Sequence, residues 1–356
     1  MNLKILMVTG GTGGHIYPAL ALAEYIEKKR EVEFLFVGND DRMEAKLIPQ
    51  KGFAFQSVHA KGLVGNPFQK LVSVCLMMNA YRKAKKIIRE FKPDVAIGFG
   101  GYVSVPLMKA AQHLHVKTIL HEQNSILGVS NKVLVSKADA IVVCYEKCLQ
   151  ELPKAKTYLY GNPRASIAAT HHFDEAYFKS LHIKRDKRPL CLVVMGSLGS
   201  SSINEKMAEV LKDMKDIQFL YVSGKQTYKE TKQTLTCEHI HVVDYIDQLS
   251  IVDAFDFIIA RAGATTAAEI SASGLCSILI PSPYVAHNHQ YYNAKALVEK
   301  QAAYMIEEKD LDKESLKRCL RELSGHPNKV QEIKKNAKQL GFPNACEDML
   351  KLIERI

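Results

Sequence analysis

The sequence predicts an α/β chain of two Rossmann-like domains, each built on a parallel sheet. Three observations carry this. Short β-branched runs alternate with longer amphipathic ones, the rhythm of βαβ units. The rhythm breaks around Leu159-Tyr160-Gly161-Asn162-Pro163 and the polar stretch Ala168–Arg188, then restarts. Each half also opens with a strand and a glycine-bearing loop: Gly10-Gly11-Thr12-Gly13-Gly14-His15 in the first, Gly196-Ser197-Leu198-Gly199-Ser200 in the second.

In the first half, strands are expected at Leu3–Thr9, Val32–Val37, Val95–Gly98, Val116–Leu120 and Ala140–Val143. Helices are expected between them, for example Pro18–Lys29 and Phe68–Phe91. In the second half, strands are expected at Leu190–Met195, Gln218–Val222, His241–Val243, Phe257–Ala260 and Ser277–Ile280. The division is into residues 1–162, residues 163–340 and a C-terminal helix within 341–356, expected to pack back on the first domain. With 356 residues and 47% hydrophobic content, the chain has core material for two domains.

Composition narrows the function classes. A formal charge of +10 favours anionic partners: nucleic acid, phosphorylated substrates or an anionic membrane surface. The eight cysteines form no C-x-x-C and sit mostly in apolar runs, which predicts reduced core thiols in a cytosolic protein. Cys237-Glu238-His239-Ile240-His241 matches no standard zinc spacing. Asp310-Leu311-Asp312 lies in a charged run that reads as a helix start, so no metal site is expected. The N-terminal apolar run lacks a cleavage site and does not read as a signal peptide. No stretch reaches the ~20 apolar residues of a membrane span.

The first glycine loop is neither a dinucleotide fingerprint nor a Walker A loop. Ile16 stands where a third glycine would be needed, no acid closes the strand Phe34–Asn39, and no Lys-Ser/Thr follows. What remains is a bare backbone that lets a ligand approach closely, with His15 in the first helical turn. The helix N-terminus there favours a neutral imidazole, a candidate general base. A tight turn with a capping histidine is the alternative.

Further polar loops follow expected strands: Gly100-Gly101-Tyr102-Val103-Ser104, His121-Glu122-Gln123-Asn124, Arg261-Ala262-Gly263-Ala264-Thr265-Thr266-Ala267-Ala268-Glu269 and His287-Asn288-His289-Gln290. Open α/β sheets bind ligands at such positions. The Arg261 loop opens a helix whose first N–H groups suit phosphate oxygens, and Glu269 suits ribose hydroxyls. Helix capping by Thr265 or Thr266, with Glu269 solvated, is the alternative. Residues 61–92 carry eight Lys/Arg and one acid. Leu71, Cys75, Met78 and Tyr81 fall on one helical face flanked by Lys70, Arg82, Lys85 and Lys86. That face suits either an anionic bilayer surface or the domain's own sheet.

Together these motifs, with Gly161-Asn162-Pro163, resemble the bacterial peptidoglycan glycosyltransferases of glycosyltransferase family 28, in order from residue 10 to about residue 294. The resemblance implies a GT-B fold, two Rossmann-like domains whose parallel sheets face an interdomain cleft. It implies transfer of N-acetylglucosamine from UDP-N-acetylglucosamine to the C4 hydroxyl of the muramoyl sugar of lipid I (undecaprenyl-pyrophosphoryl-MurNAc-pentapeptide). The product would be lipid II, formed with inversion at the cytoplasmic face of the cell membrane. No cofactor, catalytic metal or nucleic acid is implied. His15 would be the base and Glu122 the second candidate. Ser197 and Ala264, Thr265 and Thr266, with Ala267 and Ala268, would meet the donor diphosphate. Ile246 would meet the uracil, Glu269 the ribose and Gln290 the sugar hydroxyls, with Arg164 and Arg261 also on the donor. Thr12, Gly13, Gly14 and Asn124 would complete that site. Tyr102, Ser104, His121 and Asn131 would lie on the acceptor side, and Leu71, Cys75, Met78, Tyr81 and Lys85 on the membrane.

The chain departs from the family pattern at three places. Arg164 follows Pro163 directly and Ala165 takes the usual arginine position. Met195 replaces a glycine. Ala262 and Ala268 stand where serines are common. Rival readings are another GT-B enzyme, such as a lipid galactosyltransferase or a UDP-N-acetylglucosamine 2-epimerase, and a non-catalytic nucleotide-sugar-binding scaffold.

Overall fold

The computed structural model describes residues 3–62, 65–195 and 201–356. The chain divides into two units, Met1–Ser166 with Asn344–Ile356, and Ile167–Pro343. The first contains strands β1 (Leu3–Val8), β2 (Val32–Asn39), β3 (Ala54–Val58), β4 (Val95–Gly98), β5 (Lys117–Glu122), β6 (Ala140–Val143) and β7 (Thr157–Leu159). They form a parallel sheet in the order β3-β2-β1-β4-β5-β6-β7. Helices bury both faces of such a sheet, so its central strands read as unbroken apolar runs, as in Ile5-Leu6-Met7-Val8.

The second unit repeats the design with β8 (Leu190–Val194), β9 (Gln218–Val222), β10 (Ile240–Val243), β11 (Phe257–Ala260), β12 (Cys276–Leu279) and β13 (Tyr304–Met305). Its order is β10-β9-β8-β11-β12-β13. In each sheet the order reverses beside the first strand, between β1 and β4 and between β8 and β11. Ligands of open α/β sheets bind at such switch points. The loops at Gly10 and Gly100 flank the first, and the loop at Arg261 flanks the second.

Four helices of the first unit matter below: α1 (Gly13–Glu27), α2 (Glu44–Gln50), α3 (Pro67–Phe91) and α4 (Ser104–His113). Asn66 caps α3 in a reciprocal box with Gln69, with Pro67 in its first turn. The helix Ala345–Arg355 belongs to the first unit. Its Met349, Leu352 and Ile353 share a core with Ile5, Leu22 and Ile26, and Tyr25 donates a 2.5 Å hydrogen bond to Glu347.

The elements differ from expectation in instructive ways. The first helix starts at Gly13 instead of Pro18, so the glycine loop is itself the first turn. Strand β5 runs on through His121 and Glu122, which places both inside the sheet. Strands β3, β7 and β13 went unforeseen; the last two span three and two residues, too short for periodicity to register. Asp312 caps the helix Lys313–Gly325 in a box with Ser315, the helix-start role expected for it.

Candidate active site

The first glycine loop is built for close approach. Thr12 is the N-cap of α1 in extended conformation, and its side chain makes no cap hydrogen bond. His15 is the third residue of the helix. Its Nδ1 lies 3.0 Å from Gly10 O and 3.5 Å from Thr12 Oγ1. A carbonyl only accepts, so Nδ1 carries the proton and Nε2 carries the lone pair of the neutral ring. The ring rests on the second glycine loop. A Cβ at Gly100 would sit 3.0 Å from its Nε2, and a Cβ at Gly101 would sit 2.5 Å from Gly10 O. Both glycines also hold positive φ, +104° and +82°.

Behind these loops lies a buried polar network. His121 Nε2 donates to Gly161 O at 3.0 Å, and its Nδ1 accepts from Gln123 at 2.9 Å. Gln123 also donates to Phe99 O at 2.8 Å, which ties the ends of β4 and β5 to Gly161. Burial holds the His121 imidazole down at about 4, so it stays neutral. Ser104 Oγ donates to Gly100 O at 2.6 Å. Glu122 is 2% exposed, and burial pushes its carboxyl up. Its oxygens accept from Asn124 N and Nδ2 at 3.1 and 3.3 Å, Gly128 N at 2.8 Å and Asn131 Nδ2 at 2.9 Å.

These contacts correct several expectations. Ser104, His121 and Asn131 are buried and bonded inward, so they hold loops instead of facing an acceptor. Glu122 is bonded inward in the same way, its carboxyl held by Asn124, Gly128 and Asn131. Tyr102 is exposed, and its ring covers Gly62, where a Cβ would lie 2.4 Å from it. Arg164 lies with its guanidinium 6.0 Å from the Tyr17 ring centroid.

In the second unit, the helix Ala264–Ser273 starts at an extended Gly263 with no side-chain cap. Neither threonine caps it, which leaves its leading N–H groups oriented for an anion. Thr265 and Thr266 are half-buried, and Thr265 Oγ1 is a buried hydroxyl without a protein partner among the described residues. Ala264 and Ala267 are buried, Ala268 is half-buried, and Glu269 is buried on the same helix. Ile246 is buried too. Gln290 Oε1 accepts from Ser282 N at 2.9 Å. Arg261 differs from expectation: its guanidinium is engaged within the protein, donating to Glu308 at 2.8 Å and to Ile280 O at 3.1 Å. Ser197 lies outside the described residues.

Helix α3 buries Ser73, Ala80, Ala84, Ile87 and Ile88. Phe68 at 73%, Leu71 at 61% and Met78 at 54% are exposed, as is Cys75. Tyr81 departs from the expected stripe: it packs against the core and lies under Lys85, whose Nζ is 5.0 Å from the ring centroid. The sequence reading missed Glu44, a fully buried acid that contacts the first glycine loop from residues further along the chain. Only the dense polar run Asp40-Asp41-Arg42-Met43-Glu44 after β2 hints at it.

Residues 5–143 match the N-terminal domain model of glycosyltransferase family 28, and residues 190–349 match its C-terminal domain model. The chain is 38% identical over 363 residues to an enzyme of Halalkalibacterium halodurans, with 99% of each covered. It is 37% identical over the same length to one of Listeria monocytogenes. Both are named UDP-N-acetylglucosamine–N-acetylmuramyl-(pentapeptide) pyrophosphoryl-undecaprenol N-acetylglucosamine transferase. Among solved structures, MurG of Acinetobacter baumannii superposes with a TM-score of 0.80 at 25% identity, covering 99% of this chain and 100% of that one. A UDP-GlcNAc 2-epimerase from Neisseria meningitidis shares the fold at TM-score 0.70 and 13% identity, covering 99% and 100%. Motif order, paired parallel sheets and matches to both domain models agree: the chain belongs to glycosyltransferase family 28.

Proposed function

We propose that the chain transfers N-acetylglucosamine from UDP-N-acetylglucosamine to the C4 hydroxyl of the muramoyl sugar of lipid I, giving lipid II with inversion. The observation that carries the chemistry is the 3.0 Å approach of His15 Nδ1 to Gly10 O at a sheet switch point; a carbonyl only accepts, so this contact assigns the proton to Nδ1 and the lone pair to Nε2. The substrates are argued from full-length similarity to transferases bearing those names.

In this reading, the acceptor hydroxyl oxygen attacks the anomeric carbon from the face opposite the diphosphate. The bond from that carbon to the phosphate oxygen breaks, and its electron pair leaves with UDP. The hydroxyl proton passes to His15 Nε2 and then to solvent. Developing charge on the diphosphate is met by the uncapped start of the helix Ala264–Ser273, with Ser197, Thr265 and Thr266. Glu269 takes the ribose, Ile246 the uracil and Gln290 the sugar hydroxyls. Thr12, Gly13, Gly14 and Asn124 complete the site, and Tyr102 is left as the acceptor-side contact.

A transfer assay with labelled UDP-N-acetylglucosamine tests this. Label should pass to a lipid I analogue and UDP should appear only when the analogue is present. UDP release without acceptor, together with epimerised sugar, would instead make the chain an epimerase.

The protein works, in the same reading, on the anionic cytoplasmic leaflet. No helix among the described residues is long and apolar enough to cross a membrane. What supports surface binding is the face of α3 that carries Phe68, Leu71, Cys75 and Met78, with Lys70, Arg82 and Lys86 also exposed. Each large side chain buried in the interface is worth roughly 1.5–3 kcal/mol, so losing two lowers partitioning by about a hundredfold or more. Wild type should therefore float with anionic vesicles, and the Leu71→Ser, Met78→Ser double variant should stay in the soluble fraction. Equal flotation would remove α3 from the account.

A further inference from the structure

Glu44 lies at the start of α2 and belongs to no motif described above. Its side chain is 0% exposed, yet it points back into two loops. Oε1 accepts from Asn39 N, at the end of β2, at 3.0 Å. Oε1 and Oε2 lie 3.3 and 3.2 Å from Gly11 N, across 33 residues of sequence. The approach is close enough to require glycine at two positions. A Cβ on Gly10 would lie 2.4 Å from Glu44 Oε1, and one on Gly38 would lie 2.5 Å from its Cγ.

The N–H that Glu44 receives comes from the same amide whose carbonyl receives His15. Gly11 N and Gly10 C=O form one planar, resonance-coupled peptide group. Glu44 sits on its N–H end, and His15 Nδ1 donates to its oxygen end at 3.0 Å. A carboxylate on the N–H draws the amide toward its charge-separated form, with more negative charge on the oxygen. Linked hydrogen bonds strengthen one another in this way.

We propose that Glu44 is a positioning residue for His15, acting through the Gly10–Gly11 peptide. The carboxylate makes Gly10 O a stronger acceptor, which fixes the Nδ1–H tautomer and stabilises the imidazolium formed on proton transfer. In a Ser-His-Asp triad a carboxylate does this by direct contact with the imidazole; here one peptide group stands between them. The inference rests on the reading of His15 as the base.

The test uses the full-length protein as wild type, Glu44→Gln and His15→Ala. Steady-state transfer gives kcat and the donor KM. Nitrogen-15 NMR of the imidazoles in mildly alkaline buffer, with His15 assigned by its absence from the His15→Ala spectrum, gives the tautomer. Gln keeps the shape and one acceptor oxygen but loses the charge. In Glu44→Gln, kcat should fall about tenfold, the worth of one charge-assisted hydrogen bond. The donor KM should hold, and the His15 signals should move from Nδ1–H toward a tautomer mixture. An unchanged tautomer overturns the proposal, whether kcat falls or not, because a purely structural role would lower activity without moving it. Should the variant fail to fold, the wild-type spectrum decides: a dominant Nε2–H form overturns the relay. Wild-type turnover in His15→Ala would sink the base assignment instead, which separates the two failures.

Discussion

Replacing His15 with alanine is expected to lower kcat for transfer about 10²–10⁴-fold, the usual contribution of a positioned general base, with the donor KM little changed. The geometry makes the effect chemical. Alanine favours the helix more than histidine does, so α1 does not lose stability through propensity. The donor contacts proposed above lie mainly in the second unit, on the helix Ala264–Ser273 and Gln290. A second variant separates base chemistry from loop support. His15→Asn carries an N–H donor close to where Nδ1 stands, so it can still donate to Gly10 O, the contact made at 3.0 Å by the wild type. It offers no imidazole lone pair. Asparagine should therefore be nearly as slow as alanine. If asparagine restores most of the turnover, the histidine is a loop clamp and the base must be sought elsewhere.

Glycine was the most informative residue type in the sequence. Four glycines in five residues at 10–14 carry a backbone entropy cost that an ordinary turn does not need. The structure supplies the reason: backbone, the His15 ring and a buried carboxylate converge there. The alternation of strands and helices was equally legible, because parallel strands buried on both faces leave unbroken apolar runs.

Polar residues at strand ends were the least legible. His121, Glu122 and Ser104 read as ligand-facing because polar groups beyond a strand usually are, and the family resemblance put Asn131 beside them. Strand β5 instead continues through Glu122, and these side chains bond to one another and to the neighbouring backbone. A one-dimensional pattern cannot distinguish a polar group that meets a substrate from one that holds the loop that does. Glu44 was hidden for the same reason: its partners on the glycine loop lie 33 residues away. Arg261 is the same problem in the second unit, where a cation beside a phosphate-type loop proves to be bonded inside the protein.

That arginine permits a sharp test. Arg261 and Glu308 are paired at 2.8 Å, with side chains only 11% exposed on each partner. Burying charges carries a large desolvation penalty, so removing one partner strands the other, at about 3–5 kcal/mol. Glu308→Ala should therefore lower the melting midpoint of the second unit by roughly 6–20 °C, given about 2–4 °C per kcal/mol at this domain size. Replacing both partners by methionine removes the uncompensated charge and should recover most of the loss. The double variant also decides how the donor is held. In the proposed reading, with the guanidinium tied to Glu308 and Ile280 O, the diphosphate rests on the uncapped N-terminus of the helix Ala264–Ser273. The stable double variant should then keep its donor KM within about threefold, a difference of well under 1 kcal/mol. A rise beyond tenfold in a protein whose melting midpoint has recovered would mean that Arg261 leaves Glu308 to bind the donor. The ion pair would then be a resting contact broken on substrate binding.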